Sequence, residues 1–564
     1  MNEQNGIKSK RLVFLTVNSS YSHSGMVMAL LHQASGHIPC WEWKKWEITK
    51  EEESLEAILS PGLFPCDLLC ATLYLFNREK TLDLLRRVHV LYPQTHIAVG
   101  GPECASGKSA GELLERYPFI SSVFTGEGEE LFPGFLENFE HCKEWRKIYP
   151  ESGEKVPYRA WESSPFPVED PFFRTDRPFV QIETSRGCPM GCSYCTSSGV
   201  QTRYRSLTSV EKELTLLKEK GVTEIRVLDR TFNFPRERGE SLLRLFYRFT
   251  PEMKFHLEIH PQFLDDSLKK CLAEAPEGGL HIEAGMQSFS PEVQHAMGRN
   301  CDLEQTLENL RFLCSCKNFE THVDLLGGLP RQSFESLCRD IIVLMQCAPA
   351  EIQLEVLKIL PGTKILYDLE KYSIVYSPDP PYDVMRTGSM SVLEIRQVKI
   401  LSRLLDLFYN HASLHPVLLC ASGEDPQIFL RLAEPFLRKK INTDSLMNLK
   451  RRFLFLDRFF SENGAGGKVK TQLCFQWLLA GYPVNEGPAK DQTQILPSLP
   501  EEYTILSGEK ESLLQKESKY YLLPREEEPD WILIYNRKYR FNGPCCVCQK
   551  GRGLVTETFP FRNE

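Results

Sequence analysis

The chain has 564 residues, of which 42% are hydrophobic and 25% are charged, and its formal net charge is −8. These values are typical of a globular protein with substantial cores, and they exclude a strongly basic nucleic-acid-binding protein. The first residues form no secretory signal, and no segment approaches the ~18 uncharged apolar residues of a membrane-spanning helix. We therefore expect a cytoplasmic protein with neither a membrane nor a nucleic acid as partner.

Residues 1–145 alternate short apolar runs with helical patterns, which predicts an α/β domain with a parallel sheet. Strands are predicted at residues 11–17, 66–74, 95–99 and 119–125. Gly100 and Gly101 follow the third of these strands, and Gly126 and Glu127 follow the fourth. Ligands of such sheets bind where loops leave the carboxyl ends of the strands. The pattern therefore predicts a flavodoxin-like, Rossmann-type fold, with a bound ligand close to these glycines.

Residues 146–178 are rich in proline and charge and are predicted to form a linker. Residues 179–370 form a second alternating series, which predicts a partial (βα)6 barrel with its chemistry at the carboxyl ends of the strands. The predicted strands begin at residues 179, 223, 254, 280, 321 and 351. Residues 371–564 are predicted to be a mostly helical extension with short strands at 519–523 and 531–535, and the sequence assigns this extension no role.

Three cysteines, Cys188, Cys192 and Cys195, follow the first predicted barrel strand, and Pro189 and Gly191 between them favour a wrapped loop. Thiolates are the usual ligands of iron–sulfur clusters, and three of them bind three irons of a [4Fe–4S] cube while the fourth iron stays open. Zinc is the alternative, but a structural zinc site needs four protein ligands, and no fourth cysteine or histidine is close in sequence. The odd total of 19 cysteines disfavours a disulfide framework.

The Cys-x-x-x-Cys-x-x-Cys spacing, with Tyr194 before the last cysteine, resembles the motif of the radical S-adenosylmethionine (SAM) superfamily. The resemblance implies that the open iron binds the amino and carboxylate groups of SAM. It also implies that the reduced cluster cleaves SAM to a 5′-deoxyadenosyl radical, which abstracts hydrogen. The three cysteines are then catalytic as well as metal-binding residues, and Tyr194 belongs to the cofactor site.

Downstream residues match SAM-contacting motifs of the radical SAM branch that includes oxygen-independent coproporphyrinogen oxidase. By that likeness Arg299 binds the SAM carboxylate, which suits a guanidinium group. Glu258, Gln287 and Asp324 are implied to hold ribose or methionine polar groups. Asp229 stands where the family receives the SAM amino group, although this sequence departs from the glycine-glycine-glutamate form found in many members. The alternative is that Arg299 and Glu258 form ordinary surface ion pairs.

An α/β domain before a radical SAM barrel is similar to the arrangement in the cobalamin-binding radical SAM group. The turns Gly100-Gly101-Pro102-Glu103 and Gly126-Glu127-Gly128-Glu129 look like those of that group, which implies cobalamin as a further cofactor. The Asp-x-His-x-x-Gly signature of many cobalamin proteins is absent, and His23 in the first loop is the candidate axial ligand. The alternatives are cobalt without a histidine ligand, or a domain that has lost cobalamin and remains as a scaffold.

The leading hypothesis is a cobalamin-dependent radical SAM methyltransferase that acts on an unactivated carbon. It would take a small-molecule or peptide substrate and a one-electron reductant of the flavodoxin or ferredoxin type. A second hypothesis keeps the radical without methyl transfer and gives a rearrangement, an oxidation or a ring contraction. A third, a non-enzymatic redox or sensor module, explains the predicted SAM contacts poorly. Cys545, Cys546 and Cys548 are expected to be ordinary thiols, with a metal or substrate role as the alternative.

Overall fold

The computed structural model describes residues 9–23, 25–51, 55–142, 147–150, 161, 166–490, 492–497, 518–525, 531–536 and 546–549. The chain divides into two compact units. The first comprises residues 1–334 and 356–395, and the second comprises residues 335–355 and 396–564. Cys545 and the side chains of Cys546 and Cys548 lie outside the described part of the chain, as does most of residues 151–165 of the predicted linker.

The strands of the described residues are, in chain order, β1 Lys10–Asn18, β2 Trp41–Thr49, β3 Leu68–Thr72, β4 His96–Gly100, β5 Ser122–Phe124, β6 Lys147–Tyr149, β7 Val180–Ile182, β8 Ser185–Arg186, β9 Arg203–Tyr204, β10 Glu224–Val227, β11 Lys254–Ile259, β12 Leu280–Gln287, β13 Glu320–Gly327, β14 Glu351–Val356, β15 Val375–Tyr376, β16 Val384–Arg386, β17 Gln494–Leu496, β18 Ser518–Leu523, β19 Trp531–Asn536 and β20 Cys546–Gln549. The α-helices are α1 Val27–Ser35, α2 Leu55–Ile58, α3 Arg78–Leu91, α4 Gly107–Arg116, α5 Leu131–Glu137, α6 Phe139–Cys142, α7 Leu207–Glu219, α8 Arg236–Tyr247, α9 Asp266–Ala273, α10 Pro291–Ala296, α11 Leu303–Ser315, α12 Phe334–Cys347, α13 Val392–Leu404, α14 His415–Glu424, α15 Ile428–Leu437, α16 Leu449–Glu462 and α17 Gly467–Leu479.

The N-terminal sheet is parallel throughout and has the order β2-β1-β3-β4-β5-β6. Its first five strands follow the flavodoxin-like order, in which the chain changes direction between β1 and β3 and leaves a crevice at the carboxyl ends of those strands. The predicted fold of this domain is therefore confirmed. Two strands were not predicted. β2 carries charged residues because it is a half-exposed edge strand, and β6 lies inside the region predicted to be a linker.

Alternate residues of β1 enter two different cores, one on each face of this sheet. Leu12 and Phe14 pack with the α1 and α5 side, whereas Val13, Leu15 and Val17 pack with the α3 and α4 side. A parallel strand that is covered on both faces reads as a continuous apolar run. For this reason β1 could be predicted from its composition alone.

The second sheet has the order β14-β13-β12-β11-β10-β7, and its pairings from β7 to β13 are parallel. Along β11 and β12 every second residue is fully buried and apolar, and the residues between them are polar and half-buried. The apolar residues pack against the surrounding helices, so the polar residues line the concave face. This arrangement confirms the predicted partial barrel.

The end of the predicted linker is attached to the N-terminal domain. The His32 ring hydrogen bonds to the Asp170 carboxylate through Nδ1 at 2.7 Å. The Lys45 ammonium donates to the Phe172 carbonyl at 3.1 Å. In this part, residues 166–178 therefore follow a fixed path along the domain toward β7.

The second unit contains the helices α14–α17 and an antiparallel sheet of order β17-β18-β19-β20. A π-helical turn at Leu405–Tyr409 follows α13. Arg452 donates from its guanidinium to the Leu407 carbonyl at 2.9 Å and to the Met447 carbonyl at 3.1 Å. Arg452 thereby supplies a hydrogen-bond donor to the backbone carbonyl of Leu407, which lies within the π-helical turn. The described helices include none that is both long and apolar enough to cross a bilayer.

Gly101 provides a test of the N-terminal fold. Its φ is +100°, and a Cβ there would lie 2.7 Å from Cγ2 of Thr72 and 2.8 Å from the Leu73 carbonyl oxygen. We expect Gly101→Ala to lower the free energy of unfolding by about 1–3 kcal/mol, because neither the backbone angle nor the space suits a side chain. Urea-induced unfolding measures the difference.

Gly111→Ala is the matched control. Gly111 lies within α4, and a Cβ there has no neighbour within 4 Å. Alanine is favoured over glycine inside a helix by about 0.5–1 kcal/mol, so this variant should be as stable as the natural chain or more stable. Equal stability of the Gly101 variant and the natural chain would contradict the described turn.

Candidate active site

A short hairpin closes the loop that carries the three cysteines. β8 and β9 pair antiparallel, with Ser185 opposite Tyr204, and the loop of residues 187–202 lies between them. Gly187 has a φ of +90°, and a Cβ there would lie 2.7 Å from the Gln201 carbonyl oxygen. Only glycine fits at this position, so the two ends of the loop can approach each other.

The middle of this loop is held by two other segments that are distant in sequence. The Ser193 amide donates to the Met297 carbonyl at 2.8 Å, and the Ser193 carbonyl accepts from the Ile365 amide at 2.9 Å. A Cβ on Gly298 would lie 3.0 Å from the Gly191 carbonyl oxygen. The segment after α10 and the turn after β14 therefore fix the position of the loop.

The three thiols lie in a setting that suits iron–sulfur ligation. The Met190 amide donates to Sγ of Cys188 at 3.5 Å, and the Ser197 amide donates to Sγ of Cys195 at 3.4 Å. Cys192 is buried. Amide donors near ligand sulfurs stabilise thiolates and tune a bound cluster. The donor set of three thiols with amide support thus fits a [4Fe–4S] cluster.

The described residues contain no group of three histidine, cysteine or acidic side chains that could hold a single metal ion. Each thiolate of a [4Fe–4S] cube binds a different iron atom. The sulfurs of a cube are therefore farther apart than the ligands of one ion.

Arg299 lies directly beside this loop. Its Nη1 is 3.8 Å from Sγ of Cys192, and its Nη2 donates to the Gly285 carbonyl. The side chain is 93% buried, and its Nε has no hydrogen-bond partner among the described residues. Burial lowers the pKa of Arg299, but Tyr194 and Cys192 outweigh it, so the net shift is upward. A permanently charged guanidinium with a free donor next to Cys192 suits a carboxylate ligand.

Glu258 and Asp324 both lie on the concave face of the barrel sheet. Glu258 ends β11 opposite Glu283 of β12, and its nearest cation is Arg230, at 3.7 Å. Burial raises the pKa of Glu258 to about 7. Burial, and less strongly the Glu283 carboxylate, raises the pKa of Asp324 to about 6. Both shifts arise first from burial, which disfavours the ionised form of each carboxyl.

Gln287 reaches the same face through an irregular strand end. Its φ is +69°, and the register of β12 against β13 shifts between Gly285 and Gln287. A Cβ on Gly285 would lie 2.9 Å from Nε2 of Gln287. The absence of a side chain at Gly285 leaves room for this amide. A positive φ at a residue other than glycine is uncommon and marks a locally constrained position.

Asp229 is placed differently from the other predicted SAM contacts. It is almost completely buried, and its carboxylate accepts from the Thr184 amide at 2.7 Å, from the Ser185 amide at 2.9 Å and from the Thr184 hydroxyl. Burial raises the pKa of Asp229 despite these bonds. In the structure Asp229 joins the end of β10 to the segment between β7 and β8, and its contact with SAM stays a prediction.

The residues predicted at the carboxyl edge of the N-terminal sheet serve partly structural purposes. Thr72 and Leu73, at the end of β3, occupy the space beside Gly101. The missing side chain of Gly101 therefore makes room for the end of β3. Gly100 has ordinary contacts with Phe124, and Gly126 has a φ of +79°. These positions stay predictions as cofactor contacts.

Glu127 makes ion pairs with two arginines of the cysteine-loop hairpin. Its carboxylate accepts from Nη1 of Arg186 at 2.7 Å and also from Arg203. Both oxygens of Glu127 are therefore engaged by protein, and its predicted contact with a cofactor stays a prediction.

His23 lies in the loop after β1. Its Nδ1 is 3.2 Å from the Ser19 hydroxyl and 2.9 Å from the Ser20 hydroxyl, and its ring contacts Phe179 edge-on at 5.1 Å. Burial, and then the charge of Arg226, lower the pKa of His23. This shift favours the neutral imidazole, which is the form that binds metals.

Some polar residues of this site were missed by the sequence analysis. A His-x-acid pattern recurs on three consecutive barrel strands, and the residues are His256 and Glu258, His281 and Glu283, and His322 and Asp324. The His256 ring is 3.0 Å from the Glu283 carboxylate and stacks on His281 at 4.5 Å. The repeated pattern at a period of two could have indicated a polar layer inside the barrel.

Comparison with family models supports the assignment of the barrel. Residues 182–341 match the Radical SAM superfamily model. Residues 370–487 match a family that is described as a protein of unknown function, DUF4080.

Relatives of known name cover only part of the chain. An uncharacterized methyltransferase of Pyrococcus horikoshii is 24% identical over 48% of this chain and 62% of its own length. A tRNA-2-methylthio-N(6)-dimethylallyladenosine synthase of Citrifermentans bemidjiense is 28% identical over the same shares. The chain thus spans less than two thirds of the length of these relatives.

Two solved structures share the fold. The radical SAM methyltransferase TsrM of Kitasatospora setae, solved with cobalamin and a [4Fe–4S] cluster, superposes with a TM-score of 0.52 at 16% identity and covers 66% of this chain and 76% of its own. The cobalamin-dependent SAM radical enzyme OxsB, solved with aqua-cobalamin, gives a TM-score of 0.54 at 13% identity over 82% of this chain and 80% of its own. At these identities the likeness establishes the fold.

Glu258 provides a pH-dependent test of the concave face. The folded-state pKa of Glu258, about 7, lies above the 4.5 that is usual for a glutamate side chain. The folded state therefore disfavours the ionised carboxyl, and this penalty grows as the pH rises from about 4.5 to 7. Glu258→Gln should be more stable than the natural chain at pH 8, by on the order of 1 kcal/mol after solvent screening, and the gain should vanish near pH 4.5. Thermal unfolding of the ligand-free chain between pH 4.5 and 8 measures it.

Glu240→Gln is the control, and its stability relative to the natural chain should change with pH in the opposite direction. Hydrogen bonds from Ser267 and Arg244 lower the pKa of this exposed carboxyl, so its charged form is favoured and the variant should lose stability as the pH rises. If the two variants followed the same pH trend, the described burial of the Glu258 carboxyl would be wrong.

Proposed function

We propose that the chain, whose residues 182–341 match the Radical SAM superfamily model, is a cobalamin-dependent methyltransferase that acts on an unactivated carbon. The observation that carries this proposal is the contact between the cysteine loop and the carboxyl edge of the flavodoxin-like sheet. Glu127, which follows β5, is bound by Arg186, two residues before Cys188. This contact supports the proposal, because methyl transfer requires the two cofactors to lie close to each other.

Cys188, Cys192 and Cys195 would hold the [4Fe–4S] cluster. When bound, the cluster supplies the electron that cleaves SAM to a carbon-centred radical. The protein contributes the position of the thiols, which is set by the hydrogen bonds of Ser193 with Met297 and Ile365. Arg299 would bind the SAM carboxylate next to Cys192 and so orient SAM toward the barrel.

The carboxyls of the concave face favour a cationic ligand such as SAM. The pKa values of Glu258 and Asp324 are raised to about 7 and about 6. A cation bound between them would stabilise their ionised forms, so binding would release a proton from Glu258 near neutral pH. SAM binding should accordingly tighten as the pH rises through 7.

The N-terminal domain would hold cobalamin at its carboxyl edge. Tyr21 and Phe76, in the loops after β1 and β3, are 63% and 48% exposed, and Phe76 stacks on Tyr74 at 5.4 Å. Exposed aromatic rings at the crevice of such a sheet fit a large planar ligand. When bound, cobalamin supplies the methyl-carrying metal. His23, with Nδ1 held by serine hydroxyls, is the candidate axial residue.

The proposed partners follow from this chemistry. The cluster needs a one-electron reductant of the flavodoxin or ferredoxin type, and the polar concave face would take a small molecule or a peptide as substrate. Free thiols and an iron–sulfur site suit the reducing cytoplasm.

Replacement of the loop cysteines tests the cluster. Cys188→Ala, Cys192→Ala and Cys195→Ala should each lose more than about 90% of 5′-deoxyadenosine formation from SAM, because the cluster loses a ligand. Iron content and absorbance after anaerobic reconstitution measure the cluster itself. Cys338→Ala, which removes a half-buried thiol of α12 far along the chain, is the control and should keep both. Full activity of any loop variant would remove that residue from the cluster.

Product analysis distinguishes methyl transfer from the other radical outcomes. A methyltransferase with one SAM as radical source and another as methyl source leaves S-adenosylhomocysteine beside 5′-deoxyadenosine. A rearrangement or an oxidation leaves only 5′-deoxyadenosine. Turnover with dithionite and hydroxocobalamin, followed by chromatography, therefore separates the two hypotheses even before the substrate is known.

A further inference from the structure

We propose that Arg186 is a positioning residue that transmits the state of the cysteine loop to the β5 exit loop, which comprises residues 126–130. Glu127 and Glu129 are then the receiving half of this connection. The inference goes beyond the proposed function, because it concerns the coupling of the two domains. It rests on the cluster alone and does not depend on cobalamin.

The contacts of Arg186 are divided between the two domains. On the N-terminal side its Nη1 donates to Glu127 at 2.7 Å, and its Nη2 donates to Glu129 at 2.8 Å. On the barrel side its Nε and Nη2 donate to Glu183 at 2.9 and 2.7 Å. One guanidinium thus bridges a turn of the N-terminal domain and the strand end from which the cysteine loop starts. Guanidinium groups fix such geometry because their donors are rigidly arranged.

This network is largely shielded from solvent. The side chains of Arg186 and Glu129 are 12% and 7% exposed, and that of Glu127 is 24% exposed. Trp161 covers it, because the Arg186 guanidinium lies 4.6 Å from the centre of the fully buried Trp161 ring. Ion pairs that are removed from water are screened little and are costly to break on one side only. A displacement of Arg186 must therefore move its partners or leave a carboxylate unpaired.

The charges in the network enforce this connection. Glu127, Glu129 and Glu183 face Arg186, and Arg203 joins through Glu127. Among the described residues the acidic groups of this network outnumber the basic ones, and Arg203 is already engaged by Glu127.

The chain offers a matched pair that lies within the barrel domain. Arg205 donates to Glu213 at 2.8 Å, both side chains are buried, and Arg205 also lies near Trp161, at 5.5 Å. This pair resembles the Arg186 network in burial and chemistry but makes no ion pair with the β5 exit loop. A variant of this pair therefore shows the effect of losing a buried ion pair in general. An effect that is specific to Arg186 then reports the coupling between the two domains.

Hydrogen exchange measured by mass spectrometry tests the proposal on the full chain. Exchange is compared before and after the cluster is assembled from iron and sulfide, and again after SAM is added. In the natural chain we expect amide exchange in residues 126–132 to slow by at least about fivefold upon assembly. Arg186→Lys should abolish this response, because lysine cannot bridge three carboxylates. Glu213→Gln should retain it.

Each outcome decides the question. A response in the natural chain and the Glu213 variant, but not in the Arg186 variant, supports the coupling. No response in the natural chain, or an equal response in the Arg186 variant, overturns it. If Arg186→Lys does not fold, Glu127→Gln, which keeps the arginine and removes one charge from the exit loop, should show the same loss. Failure of the chain to bind cobalamin would contradict the proposed function and leave this test unchanged.

Discussion

The position of one short loop determines the rest of the candidate site. Ser193 is hydrogen bonded on one side to Met297 and on the other to Ile365, so segments from three parts of the barrel meet at the three thiols. Arg299 is placed beside Cys192 by the same contacts. The constraint is steric as well as polar, since Gly187 and Gly298 lie where a side chain would collide with the neighbouring backbone. Without this loop geometry, the carboxyls on the strands would line the concave face of the sheet with no reactive group beside them.

The barrel also illustrates how a polar interior can be stable. Glu258, Glu283 and Asp324 lie on neighbouring strands, and like charges opposite each other destabilise a sheet. The His256 ring compensates Glu283, whereas Glu258 and Asp324 keep raised pKa values. The sheet tolerates this because its other face is filled by apolar side chains. A site that is strained when empty and relieved by a cation is a common property of binding pockets.

The sequence predicted the architecture well, because both sheets are parallel and covered by helices, so that β1, β4 and β11 are recognisable from apolar runs and alternation. It failed at β2, an edge strand with charged residues. Arg186 was not predicted either, since its partners Glu127 and Glu129 are nearly sixty residues away, and long-range ion pairs have no local signal. Asp229 was predicted as a SAM contact, but its bonds to Thr184 and Ser185 could only be seen in the folded chain.

The central claim is that cluster and cobalamin chemistry meet in one protein. The most direct test is the metal content of the chain after anaerobic purification with hydroxocobalamin supplied and the cluster reconstituted. The account predicts about one cobalt per chain, with the cobalamin absorbance, beside the iron and sulfide of one [4Fe–4S] cluster. An intact iron–sulfur cluster without retained cobalt would contradict it, and the flavodoxin-like domain would then be a scaffold for a radical SAM enzyme that does not use cobalamin.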